Sequence, residues 1–236
     1  MFSHLNRREN SMDHIYIEAC NAADVIVPLT AEAERHIAAL RLRDGELVKV
    51  LNGRGLVAIC VVQRTGQKVE LAVNTATEHP KPAALTLAMS ILDARDRFEF
   101  ALEKCTELGI TRFVPVLADQ SQHHRTSAER LVAKAVAAIT QCGVAWLPEI
   151  TAPTTIAELA WGSCFIIGDD KGQPPSPCDL TEDVTVIVGP EGDFSERERA
   201  VLLDDPRCRS WAIGRNRLRA ETAAIALIAN VVSVRS

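Results

Sequence analysis

The chain changes rhythm once, at His79-Pro80-Lys81-Pro82, and that change limits what it can fold into. Two prolines in four residues suit neither a helix nor a central strand, so the stretch reads as a linker. Before it lie short β-rich runs. His14-Ile15-Tyr16-Ile17-Glu18 alternates, and Gly45 to Leu51, Gly55 to Gln63 and Lys68 to Asn74 are broken by turn residues. One helix interrupts them, capped by Thr30 and ending near Leu42. Closely spaced strands with a single helix predict a small β-barrel.

After the linker, strands alternate with helices. Leu85 to Met89, Phe113 to Leu117, Cys164 to Ile167 and Val184 to Val188 are apolar runs. Arg95 to Leu108 and Ala128 to Cys142 read as helices stopped by Gly109 and Gly143, with further helices over Glu196 to Leu203 and Ala220 to Val232. Such alternation implies parallel crossovers and a sheet covered on both faces, an α/β domain. Gln173 to Asp183, with three prolines, reads as an exposed loop. The expected division is 1–78, a linker at 79–83, and 84–236. A length of 236 residues accommodates both parts.

Charge and composition exclude several classes. No stretch approaches the roughly 20 apolar residues of a membrane span. The opening Met1 to Arg8 has no apolar run behind Arg7-Arg8, unlike a signal peptide. Seven scattered cysteines without a C-x-x-C pair read as reduced thiols, and the expected compartment is the cytoplasm. With 26 Lys+Arg against 31 Asp+Glu, any contact with nucleic-acid phosphates has to come from a local cluster.

Three motifs have plain structural readings. Gly53-x-Gly55-x-x-Ala58 formally matches a dinucleotide fingerprint, but a β-run follows where a helix is required, so it reads as a hairpin turn. His123-His124 has no partner at metal-ligand spacing, and no metal is expected. Cys105 and Cys142 fall on apolar helical faces and read as core.

Two stretches carry chemistry. In Thr185 to Glu196 a buried strand runs into Gly189-Pro190-Glu191-Gly192-Asp193-Phe194, and Ser195 caps a helix. In Trp211 to Ala224 another strand ends in Ile213-Gly214, then Arg215, Arg217 and Arg219 precede a helix opening on Glu221-Thr222. Glycine loops at the C-terminal ends of parallel strands are where α/β sheets take ligands, and the arginines suit an anionic partner. A tight βα connection and a solvated charged loop are the plainer alternatives.

Together these stretches resemble the SPOUT-class RNA methyltransferases that act on N3 of a uridine in small-subunit (16S) ribosomal RNA. That family carries a Gly-Pro-Glu-Gly-Gly-Phe-Ser/Thr turn and a Leu-Gly-x-Arg-Ile-Leu-Arg-x-Glu-Thr-Ala run. Lys104-Cys105-Thr106-Glu107-Leu108-Gly109 is similar to its Lys-Ala/Cys-Thr-Glu-Leu-Gly helix end. The resemblance implies a PUA-like β-barrel that helps hold RNA, then a SPOUT α/β domain with a trefoil knot, a known exception to the rule against knots. It further implies a homodimer and S-adenosylmethionine as cofactor. The residues that match, or neighbour, its cofactor loops are Ile167, Gly168, Gly189, Pro190, Glu191, Gly192, Ile213, Gly214, Leu218 and Arg219. Arg219 is the candidate for stabilising charge on the uridine ring, with Glu221 positioning it. Arg95, Arg97, Lys104, Arg125 and Arg217 are the candidate RNA contacts.

The chain departs from the family mainly at polar positions. Ala94, Gln120, Thr140, Val144 and Asn216 stand where the family has charges, and Asp193 replaces the second glycine of the turn. A non-catalytic relative, a methyltransferase with a shifted RNA substrate and an unrelated α/β nucleotide-binding enzyme are the competing readings. Convergence of Arg95, Arg217 and Arg219 on one cleft would favour the enzyme.

Overall fold

Alternating burial builds the first sheet. The computed structural model describes residues 12–66, 68–121, 126–159, 162–177, 180 and 183–235. They form two compact units, one of residues through Lys81 together with Ile139–Leu147, the other of Pro82–Ala138 and Pro148 onward.

In the first unit, β1 (His14–Tyr16) runs parallel to β2 (Leu47–Leu51), which continues antiparallel to β3 (Leu56–Thr65) and β4 (Lys68–Glu78). Every second residue of β3, from Leu56 to Val62, is buried against Ile15, Val48, Val50 and Leu71. Helix α1 (Ala31–Ala39) starts where Thr30 Oγ1 accepts from the Ala33 amide at 3.2 Å, and it adds Ile37 to this core. Residues 25–27 pair antiparallel with β4 through an Ile26–Ala72 bridge. The chain thus leaves one sheet edge at β1 and returns along the other, β4.

The glycine motif between β2 and β3 is a turn, as the sequence predicts. Gly53 and Gly55 have φ of +71° and +97°, values that favour glycine. Asn52 Oδ1 accepts from the Arg54 and Leu56 amides at 2.8 and 3.1 Å. The turn has a second job that the sequence does not announce. The Gly55 amide donates to the Ala145 carbonyl at 3.0 Å, and the Leu147 amide to the Gly53 carbonyl at 2.9 Å. Trp146 Nε1 donates to the His79 and Pro80 carbonyls at 3.2 and 3.0 Å. A boundary of 84–236 therefore misplaces residues 139–147, which pack with the first unit because these long-range backbone bonds hold them there.

The second unit is one parallel sheet. Its strands are β5 (Leu85–Ser90), β6 (Arg112–Leu117), β7 (Glu149–Ile150), β8 (Thr154–Thr155), β9 (Cys164–Gln173), β10 (Val184–Val188) and β11 (Cys208–Trp211). Its helices are α2 (Arg95–Glu107), α3 (Ala128–Cys142, whose last turn belongs to the first unit), α4 (Glu196–Leu203) and α5 (Ala220–Arg235). The order is β11-β9-β10-β5-β6-β7, with β8 also on β6, and every pairing is parallel. All residues of β5 and β10 are buried, as expected of central strands covered on both faces. Leu87, Met89, Phe113, Ile166 and Val186 pack on one face with α2 and α5, and Ala88, Val114, Phe165, Ile187 and Leu202 on the other. An α/β architecture with parallel crossovers is what the alternation of strands and helices predicts.

Two expectations need correction. β9 does not stop at Ile167 but runs to Gln173, because β11 resumes pairing there after a register shift. Cys105 is buried as expected, but Cys142 is exposed, since it is the last residue of α3. His123-His124 lies outside the described residues. Among the described residues no helix is long and apolar enough to cross a membrane.

Candidate active site

The buried strand β10 delivers its chain into a tight turn. A Cβ on Gly189 would lie 3.2 Å from the Phe194 ring, so glycine lets the ring close over the turn without shifting. Asp193 has φ +71°, the left-handed conformation that explains the family's glycine at this place. Its Oδ1 accepts from the Phe194 amide at 2.8 Å, the kind of local bond that lets aspartate occupy such a position. Ser195 then caps α4. Its hydroxyl accepts from the Glu198 amide at 3.2 Å, and Glu198 Oε2 accepts from the Ser195 amide at 2.9 Å.

The loop after β6 is tied to this cap. Ser195 Oγ donates to Asp119 Oδ2 at 2.7 Å, Arg197 donates to the same carboxylate, and buried Glu198 accepts from the Asp119 amide at 2.9 Å. The Ser195 hydrogen bond, then the Arg197 guanidinium, holds the Asp119 carboxyl below the ordinary carboxylate range.

A cavity of about 750 Å³ opens where β10 and β11 end, beside residues 167–169 of β9. That volume lies within the roughly 300–1,000 Å³ of small-molecule sites. Ile167 and Gly168 from β9, Gly189 to Glu191 after β10, and Ile213, Gly214, Leu218 and Arg219 after β11 all line it. Of the candidate cofactor residues only Gly192 does not. It packs instead toward Gln120, whose Cβ would be 3.5 Å from a Cβ at 192. A Cβ on Gly214 would meet nothing within 4 Å, so the cavity is open beside this backbone.

The arginines converge in part. Arg97, Arg217 and Arg219 line the cavity together with Arg215, while Arg95 is exposed at the start of α2 and does not. Residues 95 and 97 lie on different faces of a helix of 3.6 residues per turn. Arg217 Nη2 reaches the Glu191 carbonyl at 3.5 Å, bridging the two loops. Glu221 also lines the cavity, but its carboxylate faces Arg97 Nε at 3.8 Å rather than bracing Arg219. Lys104 is paired with Glu103 and Glu107 at 2.8 and 2.7 Å, and these bonds raise its pKa above the usual lysine value. It does not line the cavity. Arg125 lies outside the described residues.

Asp169 and Arg199 are cavity residues that sequence reasoning missed. Each alone resembles an ordinary surface charge; a carboxylate immediately after an apolar strand and a glycine is the one signal that points to Asp169. Among the described residues no group of three or more His, Cys, Asp and Glu is arranged to hold a metal ion. Burial pushes Cys60 up to about 12 and Cys208 to about 11, so these thiols stay protonated at neutral pH.

A parallel sheet with a glycine-lined, arginine-rimmed cavity beside its C-terminal strand ends is the arrangement in which α/β domains take small ligands, and its arginines suit an anionic group. Residues 77–232 match the RNA methyltransferase domain family, and the chain belongs to it. The ribosomal RNA small subunit methyltransferase E of Rickettsia conorii is 29% identical over 232 residues, spanning 93% of this chain and 94% of that protein. The Aquifex aeolicus protein of the same name is 24% identical over 91% of this chain and 97% of its own length. Among solved structures, the Neisseria gonorrhoeae ribosomal RNA small subunit methyltransferase E bound to S-adenosyl methionine shares the fold at a TM-score of 0.82. Its identity is 23%, over 94% of this chain and 98% of that one. A probable rRNA-methyltransferase from Porphyromonas gingivalis aligns at a TM-score of 0.77 with 25% identity, over 94% of this chain and 98% of that one.

Proposed function

We propose that this protein is an S-adenosylmethionine-dependent methyltransferase acting on N3 of a uridine in small-subunit (16S) ribosomal RNA. The observation that carries the reading is the single cavity wall that joins both glycine loops to Arg97, Arg217, Arg219 and Glu221. Bound S-adenosylmethionine supplies an electrophilic methyl group on sulfur. The backbone of Gly168, Gly189 to Glu191 and Ile213-Gly214, with the Leu218 side chain, holds it. Open space beside Gly214 and a cavity of about 750 Å³ fit a ligand of that size.

The uridine N3 carries a proton, and losing it spreads negative charge onto the ring carbonyls. Guanidinium groups aimed at that charge lower the barrier without having to reorganise. Arg219 supplies one and Arg97, faced by Glu221, a second. Arg217 and exposed Arg95 take RNA phosphates, whereas Lys104 is already neutralised by its two glutamates. With Arg97 in the cavity where Arg95 is not, five arginines, Arg97, Arg199, Arg215, Arg217 and Arg219, line one cleft. That favours catalysis over a pocket that has lost its chemistry.

The resemblance to the family supports the rest of the proposal. The first unit acts as a PUA-like barrel that holds RNA, the second as a knotted SPOUT domain, and the protein works in the cytoplasm. It pairs as a homodimer. Helix α5 supports this, because it carries no charged residue between Glu221 and Arg235, and a helix that is apolar over most of its surface is ordinarily covered over most of it. Titration calorimetry with S-adenosylmethionine and S-adenosylhomocysteine tests the pocket. Both bind, and Gly214→Trp, whose side chain grows into the open space, abolishes binding while the melting temperature holds. Absence of heat at millimolar ligand in folded wild-type protein defeats the proposal.

A further inference from the structure

β9 breaks its ladder with β11 over five residues. Ser210 pairs with Ile167 and Trp211 with Gln173, so residues 168–172 bulge between them. Bulges re-aim side chains and gather beside active sites. This one requires its glycine at 172, where a Cβ would lie 2.6 Å from the Ser210 carbonyl oxygen. It brings Asp169 into the cavity wall, with the side chain 8% exposed. Asp169 Oδ2 accepts from Arg199 Nη2 on α4, and Oδ1 accepts from the Lys171 amide at 2.9 Å. Arg199 lines the same cavity. Two separate elements thus fix one carboxylate in the wall.

An ionised carboxylate only accepts hydrogen bonds, and each oxygen serves more than one donor. Paired with Arg199 it presents no net charge, so it selects for a ligand's hydroxyl donors rather than for a cationic group. We propose that Asp169, positioned by Arg199, accepts hydrogen bonds from the ribose hydroxyls of the adenosyl ligand. The assignment rests on the reading of the cavity given above, and it adds the group that distinguishes a ribose from a deoxyribose. A site built to bind a hydroxyl strongly rejects the analogue that lacks it.

The test is binding of 5′-methylthioadenosine, which has the ribose but no amino-acid arm, and of its 2′-deoxy and 3′-deoxy forms to the full chain by calorimetry. Wild-type protein is expected to lose roughly tenfold or more in affinity when the bonded hydroxyl is removed. Asp169→Ala, which removes both acceptor oxygens, binds 5′-methylthioadenosine about tenfold more weakly and no longer tells it from the deoxy forms. Equal wild-type affinity for all three compounds overturns the assignment, whatever the variant's stability. So does wild-type discrimination retained in Asp169→Ala, or a loss confined to S-adenosylhomocysteine, which would place the carboxylate at the amino-acid arm. If wild-type protein binds neither S-adenosylhomocysteine nor 5′-methylthioadenosine, the cavity reading itself fails and the ribose assignment falls with it.

Discussion

Asp193 shows how one residue can depart from a family pattern and keep the local backbone. Its φ of +71° is the conformation for which the family uses glycine, and its own carboxylate bonds the next amide. Asp193→Ala keeps the strained backbone and loses that bond, so thermal or urea unfolding is expected to show a loss of about 1 kcal/mol. Asp193→Gly relieves the strain and is expected to match or exceed wild type. The Asp119 carboxylate makes a second residue-level prediction, this time in pH. Its folded-state pKa is depressed, first by Ser195 and then by Arg197, so its contribution is present above the ordinary aspartate value of about 4 and is lost as pH falls through the folded value. Asp205, held at about 2 by Arg207, extends the same loss to lower pH. Melting temperatures taken from pH 7 downward should fall in acid, and the fall should be shallower in Asp119→Asn.

Elements differ in how far the sequence reveals them. Helices α2 and α3 end where Gly109 and Gly143 take φ of +91° and +77°, a local device that shows in the residue type. The loops at Gly189 and Ile213-Gly214 are legible as turns after apolar strands, and it is their combination that points to a ligand site. The extension of β9 and the membership of residues 139–147 are not legible, since each depends on pairing with chain far away in sequence. The Asp169–Arg199 pair escaped for the same reason: 30 residues separate the partners. Gly55 tests the long-range pairing directly. A Cβ there would sit 2.6 Å from the Trp146 ring at φ +97°, whereas Gly45, at φ +79°, has nothing within 4 Å. Gly55→Ala is expected to cost about 2 kcal/mol or more, against about 1 kcal/mol for Gly45→Ala. Equal losses in chemical denaturation would show that the 145–147 segment does not press on the turn.

The proposed homodimer places a self-association surface on α5, a helix of the parallel α/β domain. Light scattering at micromolar concentration is expected to give twice the 25.7 kDa chain mass, and a monomer mass would remove the homodimer from the account. The central claim is the reaction itself. Small-subunit RNA lacking the modification, incubated with the protein and methyl-labelled S-adenosylmethionine and then digested to nucleosides, tests it most directly. Label is expected in 3-methyluridine, reduced about a hundredfold or more by Arg219→Ala through loss of the guanidinium that stabilises the developing charge. Label in any other nucleoside, or none from folded protein that binds the cofactor, would contradict it.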